Sequence, residues 1–365
     1  MTSAADAAGI PSAHAGNESC RRNKQVEENK STKSLVLNLL RKNGSCFTSG
    51  EDIAKELFVT RAAVWKAIKT LEKNGYNIEA VTNKGYRIIE ENTLPDRDVI
   101  SAKALSDAEV EPFLKDVDLM VYDRVDSTND LIKTYAAEHP GKDAIIIADS
   151  QSKGKGRRGR SFYSPEGTGM YMSFLIHPEV SLDKAMNFTC MIAESTTRAI
   201  RKVTGLDVGI KWVNDIYYKG KKISGILTEA VTSLEDGSLT DVIIGIGINL
   251  YEPYEGFPED IKDKAGALFA KRDDSNLKNN LYAAMIAEFY KDYRLPEKYP
   301  YLDGYRENSI LIGSYVKISS NLDDERLPRG YAKVTGIDDA CRLLVKYDDG
   351  REEALFSGEV SVVKY

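Results

Sequence analysis

Apolar residues recur at helical spacing in three short stretches near the start of the chain. The stretch SLVLNLLRKN places Leu35, Leu39 and Leu40 on one face and is followed by Gly44, which predicts a helix with a glycine stop. A second helix is predicted from Ser49, with Glu51 and Asp52 in its first turn and Ile53 and Leu57 as its apolar stripe. The third, 60–74, starts at the capping residue Thr60, turns Val64, Ile68 and Leu71 inward and ends at Asn74-Gly75. Only Phe58-Val59 separates the last two, so they must cross steeply, which is helix-turn-helix geometry. The following YNIEAVTNKGYRII alternates as two strands around Asn83-Lys84-Gly85 and predicts a hairpin wing.

The pattern weakens over 91–100 (ENTLPDRDVI), where Pro95 marks a linker between domains. Residues 101–308 then alternate strands such as DAIIIADS, GMYMSFLI, VGIKWV and DVIIGIGINL with helices at 127–138 and 182–203. That is the signature of a mixed sheet with helices on it, the α+β class. From 309 to 365 only short strands occur (SYVKIS, YAKVTGID, RLLVKYDD, REEALFSG, EVSVV), which predict a small β-barrel. Residues 1–32 hold almost no large apolar side chains and are expected to be a disordered extension. A length of 365 residues suits two or three such domains.

Charge changes this picture locally. The whole chain carries −6, which excludes a protein whose entire surface clamps nucleic acid, yet residues 33–90 carry ten basic against six acidic side chains, a local +4. Arg61, Trp65, Lys66, Lys69 and Lys73 fall off the apolar stripe of the third helix, and Lys84 stands at the tip of the wing. These are the candidates for contact with a major groove and its phosphates. A protein-interaction or vestigial module has the same pattern. No apolar run approaches a membrane span, the N-terminus lacks a signal-like apolar stretch, and Cys20, Cys46, Cys190 and Cys341 show no CxxC spacing. A cytoplasmic protein without membrane, disulfide framework or Cys/His metal site is expected, and no GxSxG accompanies His139 or His177 for a serine triad.

The densest chemical feature is residues 151–160, QSKGKGRRGR, with three glycines and five cations. Gly154, Gly156 and Gly159 spell GxGxxG, but no helix pattern follows, and the Walker A spacing is absent. What remains is a loop whose backbone can approach an anion and whose cations neutralise it, a phosphate, a carboxylate or their mixed anhydride. A solvated basic loop has the same composition. Ser127-Thr128-Asn129 open a helix, either as caps or as hydrogen-bonding groups for a polar ligand. Lys211-Trp212-Val213-Asn214-Asp215 ends one strand, and Lys222 on the returning strand faces Asp215, either as an exposed hairpin lysine or to stabilise charge building on a carboxylate or an α-phosphate during nucleotidyl transfer. Gly245 and Gly247 interrupt a buried strand, either for sheet packing or for a flat ligand resting on the backbone.

In that order, these segments resemble the biotin protein ligase family, specifically its bifunctional members that double as repressors of biotin synthesis. The likeness runs from Lys33 to the end through STN (127–129), GKGRRGR (154–160), KWVND (211–215), KKISGIL (221–227) and GIGIN (245–249). It implies a winged helix-turn-helix, a biotin/lipoate ligase-like mixed sheet and an SH3-like barrel. It implies that biotin's carboxylate attacks the α-phosphate of ATP, with Mg²⁺, and that a lysine of the biotin carboxyl carrier protein then attacks the acyl-adenylate. By the same resemblance, Ser127, Thr128, Asn129, Gln151, Lys155, Gly156, Arg157, Lys222, Gly225, Gly245 and Gly247 bind biotin. Gly154, Lys155, Arg157, Arg158, Arg160, Asn214 and Asn249 bind the adenylate, and Arg157, Lys222 and Asp215 carry the chemistry. A ligand-linked homodimer on a palindromic operator of biotin genes is implied as the DNA-bound form. Two positions depart from the family pattern: Val213 replaces the usual proline, and Lys155 stands where many members have arginine. A lipoate-type ligase, a ligase with a vestigial DNA-binding domain and a ligand sensor without catalysis are the alternatives.

Overall fold

The computed structural model describes residues 32–44, 46–73, 76–89, 95–178, 180–232, 239–271, 276–319, 330–356 and 359–362. The expected extension 1–32 lies outside them except for Thr32. The chain divides into two compact units between Glu90 and Glu91.

The first unit contains α1 (Thr32–Asn43), α2 (Gly50–Glu56), α3 (Arg61–Lys73), β1 (Ile78–Val81) and β2 (Gly85–Ile88). The expected cap at Thr60 forms, its Oγ1 accepting from Ala63 N–H at 3.2 Å, and Ser49 Oγ caps α2 in the same way, accepting from Asp52 N–H at 3.1 Å. Ile53, Val64, Ile68 and Leu71 meet Val36, Leu37, Leu39 and Leu40 in one core. The buried face of α1 is thus centred one residue beyond Leu35, which is only half-buried. β1 and β2 pair antiparallel, with Asn83 and Gly85 in left-handed conformations (φ 66° and 102°) at the turn. A side chain at Gly85 would collide with the backbone of Thr48, whose N–H and C=O pair with Tyr86 and tie the wing to the helices.

The second unit runs α4 (Arg97–Leu105), α5 (Glu111–Leu114), β3 (Asp118–Val125), α6 (Thr128–Glu138), β4 (Ala144–Gln151), β5 (Gly169–Ile176), α7 (Ala185–Thr204), β6 (Gly209–Lys211), β7 (Asp215–Tyr218), β8 (Lys221–Thr232), β9 (Leu239–Asn249), α8 (Leu277–Arg294) and α9 (Tyr301–Glu307). Five strands follow, β10 (Tyr315–Ser319), β11 (Gly330–Ile337), β12 (Leu343–Tyr347), β13 (Glu352–Leu355) and β14 (Glu359–Val362). The main sheet has the order β3-β4-β5-β9-β8-β7-β6, parallel only between β3 and β4. Because side chains alternate, Met172, Phe174, Ile244 and Ile246 face the large core under α7 and α8, while Leu175, Ile243 and Ile146 meet Ile132 of α6 on the other face. That second face carries Ser173, Gly245 and Gly247.

Three differences from the sequence expectations have physical reasons. Helix α4 starts inside the stretch 91–100 expected to be a linker, capped by the Asp96 carboxylate and anchored by buried Ile100 and Ala104. Helix α7 begins at Ala185, after a tight 3₁₀ turn at Leu182–Lys184. Helix α8 escaped the periodicity reading because it is buried on nearly every side, polar Lys278, Asn279 and Asp292 included, so it has no single apolar stripe. The C-terminal strands form one antiparallel sheet, β13-β12-β11-β10-β14, whose core is continuous with that of the main sheet. Trp212 Nε1–H donates to Cys341 C=O at 2.9 Å, which links KWVND to that sheet. No helix among the described residues is long and apolar enough to cross a membrane.

Candidate active site

The register of the sheet builds a trough. Tyr171, Gly247, Gly225 and Asp215 are Cα partners across β5, β9, β8 and β7, and Ser173, Gly245 and Leu227 form the next row. Two neighbouring glycines leave a gap in the side-chain layer, and the ring of Phe162 fills part of it: a Cβ on Gly247 would lie 2.4 Å from Phe162 Cε1. On the other row, a Cβ on Gly245 would lie 2.1 Å from Asn129 Oδ1. The two glycines therefore admit an aromatic ring and an amide belonging to the chain itself.

The trough opens into a cleft between the sheet, the start of α6 and the glycine-rich loop. Ser127, Thr128, Asn129, Gln151, Lys155, Gly225, Gly245 and Gly247 all line it, joined by Phe162, Leu227 and Ile246. A buried polar relay sets its walls. Gln151 Oε1 accepts from Thr128 N–H at 2.8 Å, and Gln151 Nε2 donates to Ser164 Oγ at 3.0 Å. Ser173 Oγ lies 2.7 Å from Thr128 Oγ1 and 2.6 Å from Asn129 Oδ1, while Asn129 Nδ2 donates to Glu229 Oε2 at 2.8 Å. Ser127 caps α6, accepting from Asp130 N–H. Neutral polar groups held this way are oriented for a neutral, amide-like ligand head.

The loop 152–161 is folded, not splayed. Lys153 N–H donates to Asp126 C=O at 2.8 Å, Gly156 N–H to Arg160 C=O at 2.7 Å and Phe162 N–H to Gly154 C=O at 2.8 Å. Gly154 has no room for a side chain, with Ser164 Oγ and Phe162 C=O each 2.5 Å from its Cβ position. Arg158 takes a left-handed conformation (φ 59°), and Arg158 and Arg160 point their surfaces to solvent.

Each lysine of the site is paired with a carboxylate. Lys155 Nζ is 2.5 Å from Asp130 Oδ1, Lys153 Nζ is 2.8 Å from Asp126 Oδ2, and Lys222 Nζ is 2.6 Å from Asp215 Oδ1. The hydrogen bond from Lys153 holds the Asp126 carboxyl below the usual range. Arg157 donates to Asn214 Oδ1 at 2.8 Å, and Asn214 Nδ2 donates to Ile226 C=O at 2.9 Å, so the loop is joined to the KWVND strand end beside the trough. Such half-exposed pairs are worth little, so a more highly charged phosphate can take these cations from their carboxylates. Asn249 lies apart from the cleft lining, with Nδ2 donating to Gly266 C=O at 3.0 Å. The Trp212–Val213 peptide bond, where the family pattern has proline, is cis. No group of three or more His, Cys, Asp or Glu able to hold a metal ion occurs among the described residues.

The sequence reading missed Phe162, Leu227, Ile246 and Glu229. Phe162 follows the loop directly, and only the strand register reveals that it lies over a glycine row; Glu229 is a hundred residues from the asparagine it orients.

The parallel β3-β4 pair thus leads into an otherwise antiparallel sheet that carries a polar pocket at a helix start with a cationic loop beside it. Residues 121–249 match the biotin/lipoate A/B protein ligase family, 32–87 an HTH domain and 323–363 the biotin protein ligase C-terminal domain. The chain is 32% identical to the bifunctional ligase/repressor BirA of Bacillus spizizenii over 90% of this chain and 97% of that protein. It is 30% identical to the protein of the same name from Escherichia coli over 90% and 96% of the two chains. The biotin protein ligase from Aquifex aeolicus in complex with biotin and ATP superposes with a TM-score of 0.53 at 27% identity, covering 68% of this chain and 99% of that one. The chain belongs to the biotin protein ligase family.

Proposed function

We propose that this protein is a bifunctional biotin protein ligase and biotin-responsive transcriptional repressor. It forms biotinyl-5′-AMP and pyrophosphate from biotin and ATP, then transfers the biotinyl group to a lysine of a biotin carboxyl carrier protein, releasing AMP. The observation that carries the reading is the cleft itself: a neutral hydrogen-bonding end made by Ser127, Thr128, Asn129 and Gln151, and a cationic end made by Lys155, in one cavity beside a glycine trough. Biotin's ureido head suits the first end, and its carboxylate and the α-phosphate suit the second.

In this reading Lys222 leaves Asp215 to bridge the biotin carboxylate and the phosphate, stabilising the negative charge that builds as the new acyl–phosphate bond forms and the bond to pyrophosphate breaks. Asp215, released, accepts a proton from the incoming lysine ammonium. Arg157, placed by Asn214, closes over the adenylate together with Gly154, Lys155 and Gly156, and Arg158, Arg160 and Asn249 contribute to the nucleotide side. Gly225, Gly245 and Gly247 keep the floor low. Asp126, Asp130 and Asp215, freed as their lysines turn to the phosphates, are the carboxylates that would hold a magnesium ion carried by ATP, which would supply neutralising charge there.

The winged helix, residues 33–90, is the DNA-binding domain. Arg61, Trp65, Lys66, Lys69 and Lys84 are exposed on it and serve as the contacts to operator DNA; the side chain of Lys73 lies outside the described residues. In this reading ligand-linked dimerisation uses the edge strand β3, whose end leads through Asp126 into Ser127 of the cleft.

Exchange of labelled pyrophosphate into ATP tests the enzyme: it is expected with biotin and absent with lipoate. Exchange with lipoate alone would make this a lipoate ligase, and exchange with neither acid would leave a ligand sensor without catalysis.

A further inference from the structure

Between α2 and α3 the backbone turns through Phe58 in a left-handed conformation, φ 53°, while Val59 N–H closes the turn on Ala54 C=O at 3.0 Å. Glycine adopts that conformation without strain, and a bulky side chain there is an outlier. The fold gains no burial in return, since Phe58 is 95% exposed. Seven residues later Trp65, at 57%, is the other large aromatic left in solvent on this part of the unit. A single exposed aromatic is ordinary. Two of them, one in a strained turn just before α3 and one on α3 beside exposed Arg61, Lys66 and Lys69, make a surface shaped for a partner.

Charge selects that partner, because the segment 33–90 is +4 within a chain of −6. In a helix-turn-helix the start of the second helix enters the major groove, and the apolar group that base edges present there is the C5-methyl of thymine. We infer that Phe58 and Trp65 form an apolar edge that reads thymine methyl groups, flanked by cations that hold the phosphates. This rests on the DNA-binding reading above and adds the base and the atom that are read.

The test uses the full-length protein with biotin and ATP to select duplexes from a random pool, then remakes the selected duplex with deoxyuridine, which pairs identically but lacks the methyl. The wild type should bind the thymine duplex more tightly, by about fourfold for each methyl contacted, the worth of burying one such group. Phe58→Asn, which suits a left-handed backbone, should keep or raise the unfolding temperature while losing part of the discrimination, and Trp65→Gln should lose part as well. Equal binding of both duplexes by the wild type, or undiminished discrimination in Phe58→Asn, would overturn the inference with the DNA-binding reading intact. Recovery of no duplex would overturn that reading itself.

Discussion

Single residues decide this site through the space they leave. Gly245 and Gly247 occupy consecutive inward positions of β9, and each is matched to a side chain that would otherwise have no place to lie, Asn129 and Phe162. Gly247→Ala should therefore lower kcat/KM for biotin by about a hundredfold, as expected when a cleft wall moves by an ångström. In a Phe162→Ala background the same substitution should cost far less, because its clashing partner is gone. Steady-state kinetics of the four proteins checks this, and equal costs in both backgrounds would show that the ring is not what the new methyl meets. Asn129 has its amide fixed at both ends, by Ser173 and by Glu229, and Lys133 neutralises Glu229 at 2.7 Å. Glu229→Gln should raise KM for biotin and spare kcat, a split that kinetics at saturating ATP would read.

Between elements, the helical layer is tied by buried charge. Asp149 on β4 and Lys278 on α8 pair at 2.7 Å with almost no exposure, and Asp149 also accepts from Gly167 N–H at 2.9 Å. Removing one partner strands a buried charge, so Asp149→Ala should cost about 3–5 kcal/mol in urea unfolding. Glu194 on α7 differs in sign. Burial pushes its carboxyl up to about 7, against the pull of Asn308 and Arg198. Its folded pKa exceeds its unfolded one, so its penalty is absent below the ordinary carboxylate range, grows as pH rises through that range, and is complete above about 7. Glu194→Gln should thus raise stability at pH 8 by roughly 3 kcal/mol and have little effect at pH 4. Unfolding temperatures measured across that range would show the gain growing with pH; a constant difference would contradict it.

At the scale of the molecule, the division at Glu90 and Glu91 and the continuous core of the second unit predict that residues 91–365 fold alone. That fragment should unfold cooperatively and catalyse biotin-dependent pyrophosphate exchange while failing to retain DNA; loss of exchange in a folded fragment would place part of the active site in the first unit. The sequence by itself determined the local features. Thr60 as a cap, the start of α2 at Ser49, the Asn83-Gly85 turn and the inward Val64, Ile68 and Leu71 were legible because each depends on residues a few positions apart. The loop 154–160 and the Asp215–Lys222 pair were legible for the same reason, lying on one loop and one hairpin. Tertiary structure alone decided the rest. Helix α8 carries no periodic signal because it is enclosed, and α4 was hidden by a polar start whose cap bond only coordinates reveal. The meeting of Phe162 with Gly247, and of Glu229 with Asn129, follows from sheet register. Register is settled by burial of whole faces at once, a sum over many distant residues that no local pattern contains.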